Sequence, residues 1–400
     1  MAKRTVKAFA VPGFHASGIA SGIKRRGKLD LALMVSDVPA SVAGVFTTNR
    51  VKAAPVLVDR KRVRSGVSRG VIVNSGCANV SVGRRGLVDA EKMTASVESG
   101  LSLGKGEALV CSTGLIGGPL PIEKIEAAVP RLIKGLSPTG WHDAARAIMT
   151  TDSFPKLHRV KGRVGGKSVT LLGVAKGAGM ICPEMATMLA FFMTDAAVPS
   201  KLLSKALLSS TEQSFNRISV DNGMSTNDTA LIFANGMSGG RPVKSGTGDF
   251  KTFSKMLDEV SLELAHMMVR DGEGATKFIE LDVRGAATAG EARTAARALA
   301  GSLLVKTAFF GSDPNWGRIM AALGSAGVRM REDKVDISFN GVRVARRGRG
   351  DAGNERKAAR AIRKRDIVVT VNLNMGKGAY KLWTTDLSSD YVKLNSVYRS

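Results

Sequence analysis

The stretch KGAGMICPEMATMLAFFMTDA, residues 176–196, limits the folds open to this chain more than any other segment. Its apolar part, MLAFFM, is uninterrupted and short, as in a strand buried on both faces. The residues before it are ones that such a strand does not need: Gly177, Gly179, Pro183, an acid and the small pair Ala186-Thr187. Glycine permits backbone conformations and close approaches that a side chain blocks, and Pro183 stiffens the turn. The expectation is a buried strand entered through a strained turn.

Thr187 gives that turn a chemical use. If its Oγ attacks the carbonyl of Ala186 through a five-membered ring, the amide becomes an ester, and hydrolysis frees the α-amino group of Thr187. An α-amine has a pKa of about 7.7–8.0, so it is partly neutral near pH 7. One residue would then supply both nucleophile and base. On spacing alone, however, an Ala-Thr pair before an apolar run is the ordinary start of a strand, and that plainer reading is favoured.

The rest of the chain bounds the class. Four hundred residues allow two lobes or one large α/β domain. The net charge of +25 invites a polyanion-binding reading, but aromatics are only 5% of the chain, too few for base-stacking platforms. The densest basic run, residues 342–366, is expected to be a solvated loop and helix face. Neither a membrane span nor a signal peptide is expected. Three cysteines (Cys77, Cys111, Cys182) and four scattered histidines offer neither an even disulfide set nor a zinc cluster. Reduced thiols and a cytoplasmic setting follow. KGRVGGKS (161–168) misses the phosphate-loop spacing, and GAGMIC (177–182) lacks the last glycine of a dinucleotide turn.

Apolar periodicity predicts strands over 31–49, 54–60, 69–76, 108–114, 229–236, 366–374 and 380–386. Helices are expected over 89–103, 121–136, 140–150, 200–218, 249–272 and 317–327. Residues 291–311 read as a helix running into a strand. The fold class is mixed α/β, with sheets layered between helices.

KGAGMICPEMATMLAF closely resembles the self-cleaving segment of the ornithine acetyltransferase family, also called the bifunctional glutamate N-acetyltransferases of arginine biosynthesis. The resemblance spans essentially the whole chain, through NSGCANV (74–80), CSTGLIG (111–117), AIMTTDSFPK (147–156), STNDT (225–229), VRDGEGATKF (269–278), SDPNWGRI (312–319) and YVKLNSVYRS (391–400). It implies cleavage between Ala186 and Thr187, giving an α chain of residues 1–186 and a β chain of residues 187–400. Two copies of each chain usually associate in the family. Thr187 would then carry acetyl from N2-acetylornithine to glutamate, with no metal or organic cofactor. Some members also accept acetyl-CoA, an activity the sequence leaves open.

The same resemblance assigns the oxyanion donors to Thr113 and Gly114. On their own, these residues form a commonplace turn. Ornithine and glutamate share an amino-acid end and differ in side-chain charge, so the pocket needs a cation, an anion and neutral donors. By resemblance these are Lys176, Glu273, Ser153, Asn395 and Ser400. Thr151 is a second candidate for the role of Ser153, where the family often has threonine. Without the resemblance, Lys176 and Glu273 would read as surface charges and Asn395 and Ser400 as a frayed tail. Asp221, Asn227, Asp228 and Asn315 read as supports of polar turns. Two other functions stay open: a self-cleaving amidohydrolase or aminopeptidase using water as acceptor, and a non-catalytic polyanion binder.

Overall fold

The computed structural model describes residues 9–182 and 188–397. Four strands come first: β1 (Phe14–Ile19), β2 (Leu31–Phe46), β3 (Val67–Cys77) and β4 (Ala108–Leu115). Then follow β5 (Lys156–Val164), β6 (Lys167–Lys176), β7 (Leu189–Thr194), β8 (Ile218–Ser219) and β9 (Thr229–Ala234). The last group is β10 (Phe278–Ala286), β11 (Asp336–Phe339), β12 (Val342–Arg346), β13 (Arg349–Gly350), β14 (Asp366–Asn372) and β15 (Gly378–Thr385).

They build two sheets. The first runs β4-β3-β2-β9-β7-β6-β5, with β1 also paired to β2. The second runs β13-β12-β11-β14-β10-β15-β8. β7 lies between antiparallel β6 and parallel β9, and all six of its residues are buried. That placement accounts for the unbroken apolar run, since neither face of the strand meets water.

One face of the first sheet packs on the helices Ser200–Gln213 and Gly248–Arg270, and the other on Trp141–Ile148. Helices Ala54–Arg62, Arg84–Gly100 and Ile122–Lys134 enclose a separate core beside β3 and β4. The second sheet has its own apolar core against Ala289–Gly301, Leu303–Phe310, Trp316–Gly324 and Glu355–Ile362. This is the layered α/β class expected from the sequence.

Two expected strands are helices. Residues 54–62 begin with Pro55 in the first turn and end with Arg60, Lys61 and Arg62 in the last, both helix-compatible signals. Buried Asp59 accepts a hydrogen bond at 3.0 Å from the amide of Val110, tying that helix to β4. Residues 303–310 bury Val305, Ala308 and Phe309 while Leu303, Leu304 and Phe310 are exposed, a period of three to four residues. Ser302 caps this helix, its hydroxyl accepting from the amide of Val305 at 3.3 Å. β10 and the final helix, Ser389–Val397, were not among the expected elements. The basic run at 342–366 forms the β12–β13 hairpin and the helix Glu355–Ile362, with Arg346, Arg347, Arg349, Arg356 and Lys357 exposed. Among the described residues no helix is long and apolar enough to cross a membrane.

Candidate active site

The site grows from the ends of β3 and β4. These strands run parallel, and Gly76 is in register with Gly114. Gly114 has φ +127°, and a Cβ there would lie 2.5 Å from the carbonyl carbon of Gly76. Only glycine permits this approach. Asn227 pins the strand ends from the other side: its amide donates to the carbonyls of Ala78 (2.7 Å) and Ser112 (2.8 Å).

β6 ends at Lys176, whose ammonium donates to the hydroxyl of Thr113 at 3.2 Å. Lys176 is buried, and that burial lowers its pKa despite the opposing pull of Asp152, Asp228 and Glu273. The chain then turns through Gly177 and Gly179. A Cβ on Gly179 would lie 2.3 Å from the carboxyl carbon of Glu273, so this glycine makes room for the acid. Asp221 fixes the next residues by accepting from the amides of Met180 (2.7 Å) and Ile181 (2.9 Å).

Where the described chain resumes, the amide of Met188 donates to buried Asp228 at 2.8 Å, and Leu189 enters register with Thr229. Burial raises the Asp228 carboxyl well above its usual range, with the Met188 amide pulling the other way. The expected cleavage pair Ala186-Thr187 and terminal Ser400 lie outside the described residues.

A cavity of about 290 Å³ is lined by Thr113, Gly114, Lys176, Glu273 and Asn395, so five expected site residues meet. Asn395 reaches it from the last helix and donates to Glu273 at 2.8 Å. Tyr391 lies one turn earlier, and its hydroxyl donates to Asp221 at 3.2 Å. Ser153 is not among the lining residues. Its amide donates to Asp271 at 3.0 Å, and its hydroxyl also donates to that carboxylate. Thr150 and Thr151 face the cavity instead. Asn315 is far along the chain, capping the helix Trp316–Gly324 through the amide of Arg318.

Beneath the cavity lies a buried ionic group that the sequence did not reveal. Lys156, fully buried, donates to Asp152 at 2.7 Å and to Asp271 at 2.5 Å. Asp152 also accepts from the amide of Gly177 at 2.7 Å. Burial alone would raise the Asp152 pKa, but Lys156 and Lys176 outweigh it and hold the carboxyl below its ordinary range. One ammonium thus joins the segments carrying Thr151, Gly177 and, two residues on, Glu273. The signal in the sequence is only the acid-to-lysine spacing DSFPK, which is common on surfaces.

Fold and site together define a layered α/β enzyme whose cavity sets a hydroxyl and a glycine turn beside a buried lysine and a carboxylate. Residues 15–400 match the ArgJ family. The arginine biosynthesis bifunctional protein ArgJ of Geobacter sulfurreducens is 49% identical over 393 residues, 98% of this chain and 100% of that protein. Its namesake from Caldanaerobacter subterraneus subsp. tengcongensis is 46% identical over 97% of each chain. A crystal structure of arginine biosynthesis bifunctional protein argJ from Bacillus halodurans has a TM-score of 0.51 and 38% identity, covering 53% of this chain and 100% of that one. This chain belongs to the ArgJ family.

Proposed function

We propose that the chain is a self-processing acetyltransferase of arginine biosynthesis that moves acetyl from N2-acetyl-L-ornithine to L-glutamate through an ester on Thr187. The observation that carries this reading is the convergence of Thr113, Gly114, Lys176, Glu273 and Asn395 on one cavity. The names of the relatives support the pathway. Cleavage between Ala186 and Thr187 would leave a β chain of residues 187–400, a little over half the sequence, and the half-length Bacillus chain fits such a division. Two α and two β chains are the proposed assembly, and the cytoplasm the proposed setting.

In the reaction, the α-amine of Thr187 takes the proton from its own hydroxyl as Oγ attacks the acetyl carbonyl. The hydroxyl of Thr113 and the amide of Gly114 hold the oxyanion. The C–N bond to ornithine breaks, and the leaving amine takes the proton. The amine of glutamate then attacks the ester, which restores Thr187. Lys176 offers positive charge to the α-carboxylate that both amino acids share, and Glu273 with Asn395 offers an acceptor and a donor to the variable end. Thr151, which faces the cavity, and Ser400 are the proposed hydroxyl donors to substrate, since the Ser153 hydroxyl is engaged by Asp271. Acetyl-CoA is proposed as a second source of the acetyl group on Thr187.

Mass spectrometry of the purified protein, followed by incubation with N-acetylornithine and glutamate, tests this. Two fragments meeting at Ala186 and Thr187 are expected, with ornithine released only when glutamate is present. Thr187→Ala should stay in one piece and lose at least about 10⁴-fold in exchange rate. Fully active wild-type enzyme that remains one chain would defeat the processing step, and ornithine release without glutamate would make water the acceptor.

A further inference from the structure

Residues 342–366 hold ten cations and three acids, and none of them lines the catalytic cavity. Two of the acids are engaged: Asp351 accepts from Arg343 at 3.0 Å and Asp366 from Arg270 at 2.8 Å. Arg346, Arg347 and Arg349 at the tip of the β12–β13 hairpin are exposed, as are Arg356, Lys357 and Arg360 on the helix Glu355–Ile362. No charged group of these six pairs with another described residue. Acyl exchange gives this charge no task.

The cations form one firmly held stripe. Arg346 is in register with Arg349, and the two residues between them, Arg347 and Gly348, have φ +50° and +73°, as a tight hairpin turn requires. The Gly348 amide donates to the carbonyl of Val335 and the Arg347 amide to the carboxylate of Asp336, both at 2.9 Å, which pins the tip to the neighbouring segment. At the other end of β12, Asn340 donates to the carbonyl of Ala361 at 3.1 Å and accepts from the amide of Val368 at 2.7 Å. The helix begins a few residues after β13 and ends there, so it runs back along β12. At about 3.3 Å per extended residue, hairpin tip and helix end are about 20 Å apart. Beside the tip lies an open concavity of about 1030 Å³ whose cations are Lys334, Arg346, Arg347 and Arg349. Both of its carboxylates are engaged, Asp333 by Arg331 at 2.8 Å and Asp336 by Asn374 at 3.0 Å.

Guanidinium forks match phosphate oxygens, and a row of unpaired cations suits a polymer that repeats its charge along a line. Duplex nucleic acid carries one negative charge per about 1.7 Å of axis, so a stripe of this length meets several phosphates at once. We propose that the β12–β13 hairpin and the helix Glu355–Ile362 bind the phosphate backbone of duplex nucleic acid without reading its bases, as an activity separate from the acyl-transfer cavity. Backbone contacts need no stacking of bases on aromatic rings, which accords with the small aromatic content of the chain. An anionic membrane is the weaker fit: the helix turns Ala358, Ala361 and Ile362 into the core, and an interfacial helix needs such residues free to enter lipid.

Fluorescence anisotropy of the full protein with a labelled DNA duplex of about 20 base pairs, read across about 50–200 mM salt, tests this. Two duplexes of unrelated sequence should bind within about twofold of each other, and affinity should fall steeply as salt rises. The triple variant Arg346→Ala, Arg347→Ala, Arg349→Ala should bind at least about tenfold more weakly, with the slope of log affinity against log salt flattened by about 2–3. Arg356→Ala, Lys357→Ala, Arg360→Ala should act likewise, and both should melt within a few degrees of wild type because all six side chains are exposed. Lys201→Ala, Lys251→Ala, Lys255→Ala removes as much exposed charge from the helices over the first sheet and should stay within about twofold of wild type. Equal losses in the hairpin and control variants, or failure of wild type to bind at about 50 mM salt, overturns the proposal. Tighter binding to phosphatidylserine vesicles than to the duplex would overturn it in favour of a membrane.

Discussion

Two buried lysines, one beside each sheet, are held in different ways. At the rim of the first, Lys156 is buried against two carboxylates, Asp152 and Asp271, and Lys176 is buried beside them. In the layer covering the second, buried Lys306 donates, among the described residues, to neutral oxygens: the hydroxyls of Thr384 (3.2 Å) and Thr385 (3.1 Å) and the Thr385 carbonyl. One face of that sheet packs on an apolar core, and its cationic hairpin faces outward. Burying a charge costs several kcal/mol unless geometry repays it. The first sheet meets that cost by ion pairing at the ends of its strands, where the cavity lies. The second contributes to the cavity through its flanks: Asp221 after β8, Glu273 ahead of β10 and the helix Ser389–Val397 after β15. The lesson is that the site was assembled where opposite charges could be buried together.

This contrast predicts unequal losses. Lys156→Met strands two buried carboxylates and should cost about 3–5 kcal/mol in urea unfolding, with loss of exchange activity. A cost no larger than that of Lys306→Met would erase the distinction between the sheets. Thr113→Ala should lower kcat by about 10²–10³-fold with little change in melting, and Thr113→Ser should recover part of the rate. Equal kinetics for wild type and Thr113→Ala would remove that hydroxyl from the chemistry.

Lys306→Met sharpens the contrast through pH. Burial lowers Lys306 to about 8 in the folded protein from an ordinary 10.5, with Asp386 and Asp221 opposing. Between those values the unfolded chain binds more protons, so this lysine makes stability rise with pH across the window. Below pH 8 both states are protonated and the slope vanishes. The stability of wild type relative to Lys306→Met should therefore climb by about 1 kcal/mol per pH unit between pH 8 and 10.5. Parallel stability curves would show that the ammonium is not desolvated.

Legibility followed the same division. The apolar run that forms β7 announced its burial because an all-apolar strand has no alternative to a central place in a sheet. Gly114 and Gly179 were visible as glycines, but the atoms they make room for, in Gly76 and Glu273, are distant in sequence. Residues 54–60 and 303–311 misled because a short apolar run carries no decisive period, and the deciding signals were Pro55, Asp59 and the Ser302 cap. Ser153 was named through its motif, yet its hydroxyl goes to Asp271, 118 residues away.

By itself the sequence determined a layered α/β protein with a buried strand beginning just after Thr187, because apolar patterning and special backbone residues act locally. Only the tertiary structure decided that Lys156 would sit between Asp152 and Asp271, and that Glu273 and Asn395 would face Thr113. Coulomb pairing and desolvation depend on distance in space, and no spacing along the chain encodes that distance.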